Sequence, residues 1–145
     1  MHRGFLLAAC LVTAACSPWN GAEPGPRAGR PQSLLSPEER QTSRLTRRWL
    51  VGYWSVSPVC RTDSGTSLWP DGTFTMRDAY GRWSLSGNVL TTEQVHPPTW
   101  YDFIARLGNG GQFRIEIAGP DRIQVRGIGP PELVASTIFP MYRCE

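Results

Sequence analysis

Short segments in which every second side chain is apolar, separated by turn residues, run from residue 52 to residue 143. In Thr73–Met76 and Gln112–Ile117 the alternation has the period of a β-strand with one buried face. Turn sequences such as Pro70-Asp71-Gly72 and Gly87-Asn88 separate such segments. The segments lie at 52–56, 66–69, 73–76, 82–85, 89–92, 112–117, 122–126 and 138–143. This pattern predicts a mainly β chain of about eight antiparallel strands, arranged as a sandwich or a barrel.

One stretch before the strands has helical spacing. Ser36, Pro37 and Glu39 match the N-cap, first-turn proline and capping box of a helix start, so we expect a helix from Ser36 to about Arg48. Leu45 and Trp49 fall on one side of this helix, and the opposite side carries Arg40, Arg44, Arg47 and Arg48. This arginine stripe is either a solvated face or a contact for anionic headgroups, lipopolysaccharide phosphate or an acidic protein.

A second stretch of helical spacing interrupts the strands. Residues 99–107 place four apolar side chains at i, i+3, i+4 and i+7, and these are Trp100, Phe103, Ile104 and Leu107. We expect a short lid helix whose apolar face covers one open end of a barrel. The alternative is an exposed aromatic patch that binds a partner.

The first fifteen residues have the composition of an export signal. Arg3 precedes the apolar stretch Phe5–Val12, and small residues precede Cys16. A cysteine in this place resembles the signal of a bacterial lipoprotein, which implies cleavage before Cys16 and lipid on its thiol. With Ser17 next, the resemblance implies the outer membrane, at its periplasmic face. The alternatives are a conventional signal peptide or an N-terminal anchor, although the apolar run is shorter than the roughly 20 residues that span a bilayer.

The remaining length suits a single domain. Residues 16–35 are rich in proline and glycine and have no apolar period, which indicates a flexible linker. The predicted organisation is a signal peptide at 1–15, a lipid-anchored linker at 16–35 and a barrel domain with an N-terminal helix at 36–145. The net charge is only +3, and its positive part comes from arginine because the chain has no lysine. So mild a balance argues against a dedicated nucleic-acid binder.

Two cysteines lie in the predicted domain, Cys60 and Cys144. In an oxidising periplasm an even pair of thiols indicates a disulfide. The alternative is a metal site, which would need more ligands than two thiols and His96, the one histidine outside the signal. We therefore predict a disulfide and no metal.

Glycine and aromatic residues recur together from Gly52 to Leu90, as in Gly52-Tyr53-Trp54, Asp71-Gly72-Thr73-Phe74 and Gly81-Arg82-Trp83. This part of the chain resembles the small lipocalin-like, calycin-type barrels of bacterial lipoproteins, and Gly52-Tyr53-Trp54 is similar to the Gly-x-Trp signature of the first lipocalin strand. The resemblance extends in plan over residues 49–145 and implies an eight-stranded antiparallel barrel. The plan is also similar to the Inh-type bacterial metalloprotease inhibitors, whose second cysteine, however, lies soon after the first.

The sequence contains no residue set with the spacing of a catalytic site. His96 is followed by two prolines and has no local partner, and the carboxylates are scattered. Neither a phosphate-binding loop nor a dinucleotide fingerprint is present in the sequence. We therefore expect a noncatalytic protein without a cofactor.

Two functional classes then remain. The first is an envelope module that contacts an envelope protein or an anionic envelope polymer through the arginine stripe or through Trp100 and Phe103, with protease inhibition as a special case. The second is a carrier of a small apolar ligand inside the barrel, and an empty pocket of roughly 300 Å³ or more would favour it. An eight-stranded barrel is only just wide enough for side chains to fill. Seven could fill this one: Trp54, Phe74, Trp83, Leu85, Phe113, Ile115 and Val125.

Overall fold

The computed structural model describes residue 25 and residues 27–60, 65–77, 79–96, 110–129 and 138–145. In this part of the chain eight antiparallel strands form a closed barrel, in which each strand pairs with the next and the last pairs with the first. The predicted mainly β fold and its eight-stranded antiparallel barrel are therefore confirmed. The strands are β1 (Gly52–Ser55), β2 (Gly65–Leu68), β3 (Thr73–Met76), β4 (Ala79–Ser86), β5 (Val89–His96), β6 (Gly110–Gly119), β7 (Arg122–Ile128) and β8 (Ile138–Cys144).

Alternate strand residues fill the barrel with apolar side chains. Val125 on β7 pairs with Ile115 on β6 and with Phe139 on β8, and all three side chains belong to the core or pack against it. All seven side chains that the sequence suggested as filling also lie in this cluster or against it. Burying one large apolar side chain contributes roughly 1.5–3 kcal/mol, so the filled interior is the main source of stability. The buried core residues are Trp49, Leu50, Val51, Trp54, Leu68, Phe74, Trp83, Leu90, Ile115, Ile123 and Val125.

Strands β4 and β5 are longer than the alternation predicted. Their register shifts between Tyr80 and Gly81, which allows Tyr80 to pair with His96 beyond the predicted end of β5. A Cβ atom at Gly81 would lie 2.0 Å from the backbone oxygen of Glu93, so this close approach of two strands requires glycine. A register shift of this kind has no strict period of two, which is why the sequence pattern ended early.

The N-terminal helix begins as the sequence predicted. Helix α1 (Pro37–Thr42) starts with a complete capping box, in which the Ser36 hydroxyl accepts a hydrogen bond from the backbone N–H of Glu39. The Glu39 carboxylate in turn accepts from the backbone N–H of Ser36 at 2.8 Å. These bonds satisfy two of the backbone donors that a helix start leaves free.

The same helix ends sooner than predicted, and a second one follows it. Ser43, at the C-cap, has an extended backbone, and Thr46 caps α2 (Arg47–Leu50) by accepting from the backbone N–H of Trp49. The expectation of one helix running to Arg48 is wrong, because hydroxyl side chains favour helix ends and turns over helix interiors. The break also turns the chain so that Trp49 is fully buried in the core.

Residues 27–35, here called the strap, contact the outside of the barrel. Arg27 forms an ion pair with Asp71 at 2.6 Å, and its guanidinium lies 5.2 Å from the centre of the Trp69 ring. The sequence predicted a flexible linker from residue 16 to residue 35. In the structure, residues 27–35 of this segment instead make specific contacts with the barrel. The reason is that arginine side chains can stack on aromatic rings that the barrel leaves partly exposed.

The middle of the strap lies beside the disulfide. Arg30 stacks on the ring of Tyr53 at 4.3 Å and donates a hydrogen bond to the backbone oxygen of Cys60. The sulfur atoms of Cys60 and Cys144 are 2.00 Å apart, at bonding distance, as predicted for this pair. The bond links the segment after β1 to the end of β8, and these two strands are neighbours in the barrel.

Candidate functional site

A buried arginine lies at the end of the barrel that α2 covers, here called the base. The Arg143 side chain is 1% exposed, and its guanidinium lies 5.1 Å from the ring centre of Trp49 and 4.4 Å from that of Trp54. Its two terminal nitrogens donate hydrogen bonds to the backbone oxygens of Trp49 and Val51. Arg143 therefore connects β8 to α2 and to Val51, the residue that follows α2.

A second arginine is buried next to the first. The Arg40 side chain is 2% exposed, its Nε lies 2.8 Å from Oδ1 of Asp121, and its Nη2 lies 2.7 Å from a carboxylate oxygen of Glu145. Nε of Arg143 lies 3.5 Å from the same Asp121 oxygen. The two contacts with Asp121 are ion pairs without hydrogen-bond geometry. The base thus holds two cations and two carboxylates, a balanced set.

The environment of Arg143 acts on its ionisation. Burial lowers the pKa of Arg143 to about 10, and the charge of Arg40 acts in the same direction, whereas Asp121 and Glu145 act in the opposite one. The guanidinium still carries its charge at neutral pH, because this value lies well above 7. Buried charges are tolerated when they are paired and hydrogen-bonded. Both arginines are paired with carboxylates, and terminal nitrogens of both donate to backbone oxygens, whereas their Nε atoms contact Asp121 through charge alone. The ionic groups of the base therefore have a structural role, which is to close this end of the barrel.

Sequence reasoning missed the two residues that organise the base. Asp121 lies in the turn between β6 and β7, and both of its arginine partners are remote in sequence, so no local spacing indicates them. A signal for Arg143 was present: Phe139 and Met141 alternate with it, and both pack against the core. A strand period of two therefore places Arg143 inside as well.

The structure divides the predicted arginine stripe. Arg40 is buried at the base, so its assignment to an exposed interaction surface is wrong, because the helix break and its carboxylate partners hold it inside. Arg47 lies 5.2 Å from the ring centre of Trp83, and Arg48 donates to a backbone oxygen of the strap. Arg44 is exposed and forms no ion pair with any residue that the structure describes. The exposed cations of this region are Arg44, Arg47 and Arg48.

A cleft of about 430 Å³ lies between the strap and the base. Its charged lining consists of Arg30, Arg40, Arg143 and Glu145. Arg40 and Arg143 are already engaged by carboxylates or backbone oxygens, and Arg30 stacks on an aromatic ring. The charged groups of the cleft therefore already have contacts within the protein, and the strap lines one side of it.

Three predicted site residues, Cys16, Trp100 and Phe103, lie outside the described residues, as does the expected lid helix at 99–107. Their roles stay predictions. Among the described residues, no helix is long and apolar enough to cross a membrane. Within the same ranges, no three histidine, cysteine, aspartate or glutamate side chains come together in a way that could hold a metal ion.

Replacing Asp71 by asparagine is expected to loosen the strap without unfolding the barrel. Burial raises the pKa of Asp71, but hydrogen bonds from Thr73 and the charge of Arg27 outweigh it, so the pKa lies below its ordinary value. The ionised carboxylate therefore holds the strap above the ordinary pKa of aspartate, and this contribution is lost as the pH falls through the lowered value. Such an exposed pair contributes about 0–1 kcal/mol, which is enough to change local opening.

Limited trypsin digestion at neutral pH measures this opening. Cleavage after Arg27, which Ala28 follows, should be faster in the Asp71→Asn protein, with an unchanged melting temperature. Glu38→Gln is the matched control, because Glu38 is an exposed carboxylate for which the structure gives no contact with the strap. Equal cleavage rates in the two variants would show that the ion pair does not hold the strap.

The described residues thus contain a balanced ionic base, a strap seated beside it, and a few exposed arginines on the short helices. The ionic residues of the base are Arg40, Asp121, Arg143 and Glu145, and the strap is anchored through Arg27 and Arg30. Comparison with protein-family models finds no match to this chain, and comparison with curated proteins finds no significant match either.

Proposed function

We propose that this chain is a noncatalytic lipoprotein of the outer membrane, anchored at the periplasmic face through lipid on Cys16. In this proposal the barrel is an interaction module for an envelope protein or an anionic envelope polymer. The signal-like residues before Cys16, described above, support the anchoring part. The structure of the barrel supports the part concerning interaction.

The observation that carries the proposal is that apolar side chains fill the barrel interior near the base. Trp49, Trp54 and Trp83 are each at most 1% exposed, and their rings occupy the interior near the base. The buried ionic groups beside them are engaged with one another, so they are not free to act on a substrate. The exterior of the barrel is then the surface that remains for recognition.

The strap gives the proposed tether a defined place of attachment. Residues 17–26 lie between Cys16 and the first strap residue, and ten extended residues span at most about 35 Å. The strap begins at Arg27, beside Trp69 and Asp71, and Arg47 donates to the backbone oxygen of the intervening Pro70. The short helices therefore lie near the tether, and their exposed arginines are placed to meet anionic headgroups.

Replacing Cys16 by serine is expected to move the protein out of the membrane fraction. Lipidation contributes about 0.8 kcal/mol per buried methylene group, and without acyl chains the described residues have no apolar helix to replace them. Fractionation and intact mass measure the change: the native protein should carry lipid mass and sediment with membranes. The control is Ser17→Ala, which keeps the thiol. If Cys16→Ser leaves both the mass and the distribution as they were, the lipoprotein proposal fails.

One observation favours the second candidate function, a carrier of a small apolar ligand. Gln94 lies on the inward-facing row with Phe74 and Gly81 and is 9% exposed. Its side-chain oxygen accepts no hydrogen bond from the residues that the structure describes. A buried acceptor without a donor is costly, and a ligand with a hydroxyl or amide group would satisfy it. Met76 and Phe139 pack only partly against the core and could contact the apolar part of such a ligand.

Native mass spectrometry of protein released gently from membranes separates the two candidates. The interaction module should appear at the mass of the lipidated polypeptide alone. A carrier should retain a small molecule that Gln94→Leu releases, whereas the exposed substitution Gln112→Leu would not. A ligand bound in proportion one to one, and lost with Gln94→Leu, would overturn the interaction module in favour of the carrier.

A further inference from the structure

A row of outward-facing side chains crosses the barrel wall from β5 to β8. Val89 pairs with Arg114, Arg114 pairs with Arg126, and Arg126 pairs with Ile138. These side chains face outward because the sequence neighbour Val125 is buried in the core. The row therefore places two arginines side by side, with an apolar residue at each end.

The two arginines of this row are like charges that lie opposite each other on β6 and β7. Arg114 and Arg126 are both exposed, and neither forms an ion pair with any residue in the described ranges. Like charges directly opposite each other destabilise a pair of strands. Their nearest pair towards the base is Glu116 with Gln124, and Glu116 also makes no ion pair with them. The arrangement lowers stability in the free protein, and a bound anion would reverse the effect.

Apolar residues surround the arginine pair. Ile138 is 47% exposed and Ile128 is 37% exposed, and both face outward beside Arg126. Exposed apolar side chains next to arginine are typical of the surfaces through which proteins bind other proteins, where arginine is enriched. We call this set of four residues the outer wall: Arg114, Arg126, Ile128 and Ile138.

The position of the outer wall indicates which kind of anion it meets. The strap is fixed at Trp69 and Asp71, between β2 and β3. In a closed ring of eight strands, β6 and β7 lie across the barrel from β2 and β3. If the chain is tethered at Cys16, as proposed above, the outer wall faces away from the place where the tether joins the barrel. That position favours a protein partner over the headgroups of the membrane that holds the tether.

We infer that the outer wall docks a protein face on which carboxylates stand among apolar side chains. Two guanidinium groups held on adjacent rigid strands can engage one carboxylate pair with charge-assisted hydrogen bonds. Ile128 and Ile138 then lose their exposure against the apolar part of the partner. The inference rests on the proposed function only for its choice of a protein over a membrane.

A peptide of alternating glutamate and leucine, labelled for fluorescence anisotropy, is the probe for this inference. It is titrated against the full protein in neutral detergent at low salt. We expect the Arg114→Gln/Arg126→Gln protein to bind at least about tenfold more weakly, the loss expected for charge-assisted contacts at an exposed site. Arg77→Gln/Arg122→Gln is the matched control, because it removes the same charge from exposed positions outside the outer wall and the short helices, and it should change the affinity less than about twofold.

Other outcomes overturn the inference. Equal losses of affinity in the two double variants would mean that net charge alone attracts the peptide. If the native protein does not bind the peptide, the outer wall is not a docking site for an acidic protein surface. Binding to anionic vesicles that requires Arg114 and Arg126, with peptide binding unchanged, would assign the wall to a membrane. Thermal unfolding separates binding from misfolding, since removing opposed charges should keep or raise the midpoint. Failure of the tether would appear in the Cys16→Ser fractionation instead.

Discussion

The protein with methionine in place of Arg143 should lose about 3–5 kcal/mol of its free energy of unfolding, the cost expected when one partner of a buried ionic network is removed. Methionine can fill part of the space between Trp49 and Trp54, so the loss isolates the polar contacts. The backbone oxygens of Trp49 and Val51 would remain buried without a donor, each at about 1–3 kcal/mol. Urea unfolding, followed by tryptophan fluorescence, measures the change.

Two further variants make this test specific. Arg143→Lys should not restore stability, because an ammonium group cannot stack between two rings and donate to two separate oxygens as the planar guanidinium does. Arg122→Met is the control: Arg122 is exposed on β7, with its guanidinium 5.7 Å from the Tyr142 ring centre, and should change stability within about 0.5 kcal/mol. Similar losses in Arg143→Met and Arg122→Met would contradict the role assigned to the base.

Replacing both Cys60 and Cys144 by serine should lower the free energy of unfolding by about 4–5 kcal/mol, from loop-closure entropy alone. The size of the effect follows from the separation of the two residues, which are 84 positions apart. The bond joins the segment after β1 to the end of β8, so it restricts nearly the whole barrel in the unfolded state. Denaturant unfolding of oxidised native protein and of the double variant measures the difference.

The single variants provide the control for this second prediction. Cys60→Ser and Cys144→Ser each break the same bond, so their losses should be similar to that of the double variant and should not add. A reductant should destabilise the native protein and leave the double variant unchanged. If the two single losses sum to that of the double variant, the effect comes from the side chains rather than from the bond.

The barrel was predictable because its signals are local. The clean alternation in Gln112–Ile117 and the turns at Pro70-Asp71-Gly72 and Gly87-Asn88 depend on residues next to one another in sequence. The capping box at Ser36 and Glu39 is equally local, and it appears at the start of α1. Such patterns follow from the strand and helix periods, which need no knowledge of distant contacts.

The base was not predictable, because its contacts join remote parts of the chain. Arg40 appeared to belong to an exposed stripe, and only the break at Ser43 and the approach of Asp121 from the turn between β6 and β7 place it inside. The strap is a similar case, because Arg27 pairs with Asp71, which is 44 positions away in sequence. Composition indicated a linker there and could not indicate which aromatic ring an arginine would reach.

Pairing of β1 with β8 gives the barrel a seam that we expect to close last during folding. The residues on its two sides, such as Trp54 and Arg143, are far apart in sequence, and contacts of this kind slow folding because a long loop must close first. Until the strand Ile138–Cys144 is in place, the outer edges of β1 and β7 are both unpaired and able to bind other strands. The rate at which β8 joins this seam, rather than thermodynamic stability, therefore decides how long each new molecule is open to aggregation and to chaperones.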